Sequence, residues 1–165
     1  MKTYPYNEEF FKLLNGAKAY RISIDTTSDK RIQKLNNYNY NDLKNIIEYC
    51  KKYQLELKIS LIVGYPHESY ESIKNMVDFF KSHRPTSVSI DSYFRVYDNT
   101  VLAELIKSDA SLQRNLIRPY SGELTFLEPV YFNQISQDVL EELISEDELF
   151  KIAWFNPEVN SQLIE

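Results

Sequence analysis

The feature that most constrains this chain is the alternation of short segments of period two with longer segments of helical period. Polar and apolar residues alternate at about residues 20–25, 56–63 and 87–94. Strands that follow one another with helices between them predict parallel strands joined by crossover helices. We therefore predict an α/β fold in which three parallel βα units form an incomplete (β/α) barrel. Helices are predicted at about residues 7–15, 29–35, 41–53, 69–81, 100–107 and 136–149.

Charge divides the chain into two regions. Residues 1–122 carry 18 basic and 14 acidic side chains, whereas residues 123–165 carry one basic and ten acidic side chains. The change falls near Gly122, a turn former. We therefore predict a half (β/α) barrel at residues 1–118 and an acidic C-terminal extension with one helix at residues 119–165.

One face of each predicted strand is polar. Parallel strands covered by helices on both sides are normally apolar on both faces, and branched aliphatic residues normally fill the interior of a closed (β/α) barrel. A polar inner face therefore predicts a hydrated lumen lined for a ligand. A half-exposed antiparallel sheet would give the same alternation, but the intervening helices argue against hairpins. The polar face carries Ser23, Asp25, Ser60, Ser89 and Asp91.

The second strand ends in a recognisable motif. Residues 60–69 read SLIVGYPHES and resemble the fifth-strand motif of radical S-adenosylmethionine (SAM) domains, G-x-I-x-G-x-P-G-E-T. The matching residues are Ile62, Gly64, Pro66 and Glu68. The departures are Ser60, His67 and Ser69, which stand in place of Gly, Gly and Thr.

Two weaker matches keep the order of the family. The first strand, RISID, lies where the family reads G-I-E-S, so that Asp25 replaces Glu and Ser23 replaces Gly. After the third strand, Thr100 is what remains of the family's P-G-T. The segment from Arg21 to Leu105 is most similar to the branch that pairs the radical SAM domain with a cobalamin-binding domain, as in the anaerobic magnesium-protoporphyrin ester cyclases.

The resemblance implies that this chain is the C-terminal half of a radical SAM domain. It would then be part of an oxidoreductase, methylthiotransferase or cyclase-type enzyme. The resemblance also implies that Ile62 and Gly64 lie against the adenine of SAM, and that Asp25 approaches the ribose or the amino acid part. Together with the polar face, it gives a set of candidate cofactor-binding residues: Ser23, Asp25, Ser60, Ile62, Gly64, Pro66, Asp91 and Tyr93.

The cysteines that such an enzyme needs are missing from the sequence. The family holds a 4Fe–4S cluster through C-x-x-x-C-x-x-C, and thiolates are needed for such a cluster, but Cys50 is the only cysteine. Its place on an apolar helix stripe predicts a core residue. We therefore expect no metal site here and a fragment whose partner is an N-terminal half-barrel, in the same or another chain, that carries the cluster motif. SAM and the cluster are implied for the whole enzyme, and cobalamin is a further implied cofactor.

Several roles stay open at the level of sequence. Asp25 and Asp91 could form a general acid–base pair or make structural hydrogen bonds to loop amides. Gly64 could allow close approach of a ligand or serve as a simple turn glycine, and His67 is expected to face solvent. A non-catalytic binding module is the main alternative function. A barrel fragment for phosphorylated ligands is less favoured, because the chain has no glycine-rich phosphate loop.

Composition restricts the partners. The acidic extension argues against nucleic acid, and no apolar run approaches the length of a membrane span. A secretory signal is absent from the first residues, so we expect a cytoplasmic protein. The substrate, a small molecule or a peptide, is not specified by the sequence. An open sheet edge predicts self-association, or covering of that edge by residues 123–165.

Overall fold

The computed structural model describes residues 7–116, 130–132 and 135–153. Helices and strands alternate through the first two thirds of the chain, as the sequence predicts. The helices are α1 (Glu8–Gly16), α2 (Lys30–Leu35), α3 (Tyr40–Lys52), α4 (Tyr70–His83), α5 (Val101–Ser108), α6 (Ala110–Gln113) and α7 (Gln137–Ile144). The strands are β1 (Arg21–Thr27), β2 (Glu56–Ile62), β3 (Ser87–Asp91), β4 (Tyr93–Arg95), β5 (Val130–Phe132) and β6 (Phe150–Ala153).

Short polar side chains begin the helices. A side-chain oxygen placed before the first turn accepts a hydrogen bond from a backbone N–H group that has no partner inside the helix. Asn7, Ser69 and Thr100 do this for α1, α4 and α5. Asp29 does the same for α2.

Four parallel strands form the main sheet, in the order β1-β2-β3-β6. The prediction of parallel βα units in a partial barrel is therefore confirmed for β1, β2 and β3. The fourth strand was not predicted. It lies in the acidic extension, at the end of a segment predicted to be helical to residue 149, whereas α7 ends at Ile144 with Ser145 in a left-handed conformation. The boundary predicted at residue 119 lies outside the described residues.

The third predicted strand is interrupted. Strand β3 ends at Asp91, and Tyr93–Arg95 forms β4, which pairs antiparallel with β5 in a separate two-stranded sheet. The prediction of one strand over residues 87–94 is therefore wrong beyond Asp91. The break arises from pairing with a distant segment, which no local pattern reveals.

Two apolar clusters hold the molecule together. The larger one lies between the apolar face of the main sheet and helices α1, α3, α4 and α7, with Ile59, Leu61, Met76 and Phe80 among its fully buried members. The smaller one is built from β4, α5, α6 and Tyr131. Among the described residues, the larger cluster covers the apolar face of the main sheet, and the smaller cluster contacts its polar face at Ile62. None of the helices in the described ranges is both long and apolar enough to cross a membrane.

Candidate functional site

The polar residues predicted on the strands share one face of the main sheet. Asp25 on β1 lies opposite Ser60 on β2, which lies opposite Ser89 on β3. Side chains alternate between the two faces of a strand, so these three residues form a row across the sheet. The Ser60 hydroxyl donates to Asp91 Oδ2 at 2.5 Å, and Ser89 Oγ lies 3.5 Å from Asp91 Oδ1. Three candidate residues are thus close together, because Ser60 is hydrogen-bonded to Asp91 and lies opposite Asp25.

Two other candidates have different surroundings from those predicted. Ile62 lies between Thr27 and Asp91 on the polar face, but its half-buried side chain packs against the smaller apolar cluster. Tyr93 lies in β4 and pairs with Phe132, so it is not in the main sheet. Ser23 lies opposite Lys58 and is exposed.

The turn after β2 is organised by Glu68. Its Oε2 accepts the backbone N–H groups of Gly64 at 2.6 Å and Tyr65 at 3.1 Å, while its own N–H donates to the Tyr65 carbonyl at 2.9 Å. Gly64 has a φ of 88°, which only glycine adopts without strain. Gly64 therefore serves as a buried turn residue whose backbone N–H is already satisfied by Glu68 and is not left for a ligand.

The loop after β1 lies directly beside this turn. Ser28 Oγ donates to Glu68 Oε1, and Arg31 Nη2 donates to the Pro66 carbonyl at 2.7 Å. The Arg31 guanidinium is also paired with the buried Asp29 carboxylate. Pro66, a predicted site residue, is thus held through its backbone oxygen. The sequence did not single out Ser28, Asp29 and Arg31. The available signal was their position immediately after a parallel strand, next to the turn of the neighbouring strand.

Burial and charge set the protonation of these groups. Burial raises the pKa of Glu68 above its usual value, although the hydrogen bonds from Ser28 and from the two backbone N–H groups act in the opposite direction. Burial also opposes ionisation of Asp29, but the hydrogen bonds and the ion pair that Asp29 forms with Arg31 hold the pKa of Asp29 below its ordinary value. Burial raises the pKa of Tyr65 to about 12, so this phenol is neutral at physiological pH.

Two cavities flank the turn. One of about 270 Å³ lies between the turn and α6, and includes Gly64, Glu68, Asn115 and Tyr131 in its lining. The other, of about 300 Å³, lies between the loop after β1 and the start of α4. His67 borders both cavities and is exposed, as predicted.

A stack of three aromatic rings closes the first cavity on one side. The ring centroids of Tyr65 and Phe94 are 4.6 Å apart, and those of Phe94 and Tyr131 are 5.1 Å apart. Near-parallel aromatic rings at this spacing stabilise a fold by more than the burial of their apolar surface alone. Tyr65 and Tyr131 are packing residues that also line the cavity.

The described residues do not form a metal site. No group of three or more His, Cys, Asp or Glu side chains in the described ranges could hold a metal ion. Cys50 is buried in the core, as predicted, and burial raises the pKa of its thiol to about 12. A buried neutral thiol does not suit an iron–sulfur cluster, which needs several thiolates. The described part of the chain therefore does not fit the cluster.

Fold and site together define a partial (β/α) barrel with a polar strand face and with strand-end loops that are joined by hydrogen bonds. Residues 3–80 match the family model of the radical SAM superfamily. The matched segment contains β1, β2, the turn at Gly64 and most of α4. None of the curated proteins matches the sequence.

Solved structures share the fold. The radical S-adenosylmethionine methyltransferase TsrM from Kitasatospora setae, with cobalamin and a 4Fe–4S cluster bound, is 15% identical with a TM-score of 0.68 over 95% of this chain. The same enzyme with tryptophan substrate and a SAM analogue (aza-SAM) is 14% identical with a TM-score of 0.67 over 92% of this chain. This chain spans 38% and 36% of those two chains. At such identity the likeness is one of fold.

Proposed function

We propose that this chain is the segment of a radical SAM enzyme that contacts the adenosyl part of SAM and forms part of the substrate wall. The observation that carries the proposal is that the matched residues 3–80 contain the two strand ends whose loops join at Glu68. The polar row of Asp25, Ser60 and Ser89 lies on the same sheet. In α/β folds of this kind, ligands bind at the carboxyl ends of the strands.

Each group of residues has a separate part in this proposal. Gly64 carries no side chain and lines the cavity at the turn, where a planar base could approach its backbone closely. Ser60 and Asp91 are hydrogen-bonded to each other, and the carboxylate keeps further lone pairs to orient hydroxyl or amino groups of a substrate. Tyr65, Phe94 and Tyr131 exclude water from one side of the cavity at the turn.

The iron–sulfur cluster must come from elsewhere. SAM bound to a reduced cluster is the source of the radical in this superfamily, and the described residues offer no ligand set for it. The proposal therefore includes an N-terminal half-barrel with a C-x-x-x-C-x-x-C motif, on the same or another polypeptide. The strand order leaves β1 as the edge where such a half would join.

A cobalamin-dependent member of the superfamily is the finer form of the proposal. The fold likeness to a cobalamin-binding methyltransferase supports it, as does the resemblance of Arg21–Leu105 to the cobalamin branch. The reaction and the substrate, which could be a small molecule or a peptide, are not implied by the chain itself.

A non-catalytic binding module is the second candidate. The observation that favours it is the single cysteine, whose thiol is buried. Such a module would keep the polar face for a ligand or protein without radical chemistry. It would need no cysteine-bearing partner, which distinguishes it from the enzyme segment.

Titration calorimetry with SAM and S-adenosylhomocysteine tests the proposal. We expect the chain alone to bind either compound with a dissociation constant on the order of 1 mM or weaker, because the cluster iron that would anchor the methionine end is absent. A protein that joins this chain to a cysteine-motif half, with its cluster reconstituted anaerobically, should bind SAM at least about tenfold more tightly. Gly64→Val should abolish that gain.

Two results would contradict the proposal. Tight binding by the chain alone, lost in Gly64→Val, would indicate a self-sufficient adenosyl site. Absence of SAM binding in the joined protein with an intact cluster would favour the binding module.

A further inference from the structure

The loop at residues 28–31 and the turn at residues 64–68 are tied together by side chains. Ser28 Oγ donates to Glu68 Oε1, and Arg31 Nη2 donates to the Pro66 carbonyl at 2.7 Å. A further bond holds the loop to α4, in which Ser72 Oγ donates to the Ser28 carbonyl at 2.6 Å. The loop and the turn follow neighbouring parallel strands, so the ties cross from one βα unit to the next.

Glu68 is the bridge in this arrangement because its two oxygens serve different partners. Oε1 accepts the Ser28 hydroxyl, whereas Oε2 accepts the N–H groups of Gly64 and Tyr65. A carboxylate can accept hydrogen bonds at both of its oxygens at once, whereas a carboxamide can accept them only at its single oxygen. The turn geometry therefore depends on an ionised side chain whose position is fixed from the neighbouring loop.

The groups that hold the turn differ in burial, since Ser28 and Asp29 are enclosed whereas the Arg31 side chain is 57% exposed. Ser28 is 0% exposed and Asp29 is 4% exposed. Asp29 orients the Arg31 guanidinium toward Pro66 through an ion pair, and the negative charge of Glu68 adds to the field that raises the pKa of Arg31. Enclosed charge-assisted hydrogen bonds are stronger than exposed ones. The enclosed bond from Ser28 to Glu68 thus restricts the turn more than a surface contact would.

We propose that Ser28 and Arg31 are positioning residues, which hold Glu68 and Pro66 so that the backbone of the Gly64 turn keeps one geometry. The loop and the turn then move as one unit. This coupling follows from the contacts alone. Its consequence for an adenosyl ligand, which is that loop substitutions weaken binding at the turn, rests on the function proposed above.

Amide hydrogen exchange, followed by NMR on the full chain, measures the coupling directly. In Ser28→Ala and in Arg31→Gln we expect the amides of Gly64 and Tyr65 to exchange about tenfold faster or more, since loss of a hydrogen bond to a charged group releases the turn. Amides of the core strands β2 and β3 should keep their rates. Arg21→Gln is the matched control, because Arg21 forms an exposed ion pair with Glu56 at the other end of β1.

The titration of Glu68 gives a second readout that a purely structural role would not move. Ser28 donates to the ionised carboxylate and so lowers the pKa of Glu68, and Ser28→Ala should therefore raise that pKa further. Carboxyl ¹³C shifts of Glu68 would report the change. The charged or titratable groups around Glu68 are Asp29, Arg31, Tyr40, Tyr65 and His67.

The outcomes are separable. Wild-type exchange at Gly64 and Tyr65 in both variants, with an unchanged Glu68 titration, would overturn the proposal. If Ser28→Ala does not fold, an acid titration of the wild-type protein is the test. The amide chemical shifts of Gly64 and Tyr65 should then change with the same midpoint as the Glu68 carboxyl. Different midpoints would overturn the proposal. Coupled exchange in a joined protein that binds no SAM would instead contradict the proposed function and leave the positioning role intact.

Discussion

Gly64 is the residue whose backbone conformation the turn requires most. Its φ of 88° lies in a region that costs other L-residues roughly 1–2 kcal/mol. We therefore expect Gly64→Ala to lower the free energy of unfolding by about 1–2 kcal/mol, measured by urea denaturation.

Gly16 is the matched control for this substitution. A Cβ at Gly16 would meet nothing within 4 Å, and Gly16 lies in a helix with no positive φ. Gly16→Ala should therefore leave stability unchanged or raise it by about 0.5–1 kcal/mol. Equal losses of stability in the two variants would show that the Gly64 turn is not strained by a side chain.

At the scale of single residues, the sequence predicts which face of a strand a residue occupies better than it predicts which residues that side chain contacts. Alternation placed Asp25, Ser60 and Ser89 on one face, because a strand has only two faces and one of them must be apolar. The partnership of Ser28 with Glu68 spans 40 residues and follows from the lateral order of strands. No local pattern contains that order, so this contact could not be predicted.

Strand β6 ties the acidic extension to the main sheet. Phe150 is 5% exposed and belongs to the larger apolar cluster, while Lys151 on the same strand is exposed on the opposite face. We expect Phe150→Ala to lower the free energy of unfolding by about 3–5 kcal/mol, because it leaves a cavity beside β3. Lys151→Ala should change it by no more than about 0.5 kcal/mol. Thermal or urea unfolding of the two variants measures this, and a small effect at Phe150 would mean that β6 is not part of the cooperative fold.

Elements with strong local signals could be predicted, and those that depend on distant pairing could not. Helices α1, α3 and α4 have a cap and an apolar stripe, and both signals are local. Strand β6 has four residues and follows a helical pattern, so its type is decided by the open edge of β3 that it covers. The interruption at Ser92 has no Gly or Pro to announce it, and it is decided by the pairing of β4 with β5.

At the scale of the whole molecule, the described residues cover the main sheet at one edge, with β6, and leave it open at the other, at β1. Strand β6 covers the edge of β3, which is one of the two alternatives that the sequence predicted for the acidic extension. At the other edge, the Tyr20 carbonyl accepts from the Glu56 N–H at 2.8 Å. In a parallel ladder, every second residue of a strand directs its N–H and C=O toward a given neighbouring strand, and the residues between them direct theirs to the other side. The backbone groups of Arg21, Ser23 and Asp25 therefore point away from β2.

The far end of this edge is closed by the chain itself. The Thr27 N–H donates to the Tyr38 hydroxyl at 3.1 Å, and Gln33 Nε2 donates to the Thr27 carbonyl at 2.7 Å. Both bonds lie on the side of β1 that faces away from β2. The part of the edge that the described residues leave for another strand thus runs from Arg21 to Asp25, which is long enough for several ladder hydrogen bonds.

We expect this part of β1 to pair with another strand, either from a cysteine-bearing half-barrel or from a second copy of the chain, because open edges with free backbone groups associate. Ser23→Pro should reduce self-association of the isolated chain, since proline removes an edge N–H and is tolerated on edge strands. Sedimentation velocity over a range of protein concentrations measures the association, and circular dichroism checks the fold.

Ile24→Pro is the contrasting variant. The N–H of Ile24 points toward β2 and its buried side chain belongs to the core, so this substitution should unfold the protein. A monomeric wild-type chain at all concentrations would contradict pairing between copies, and an unchanged association of Ser23→Pro would place the contact away from β1.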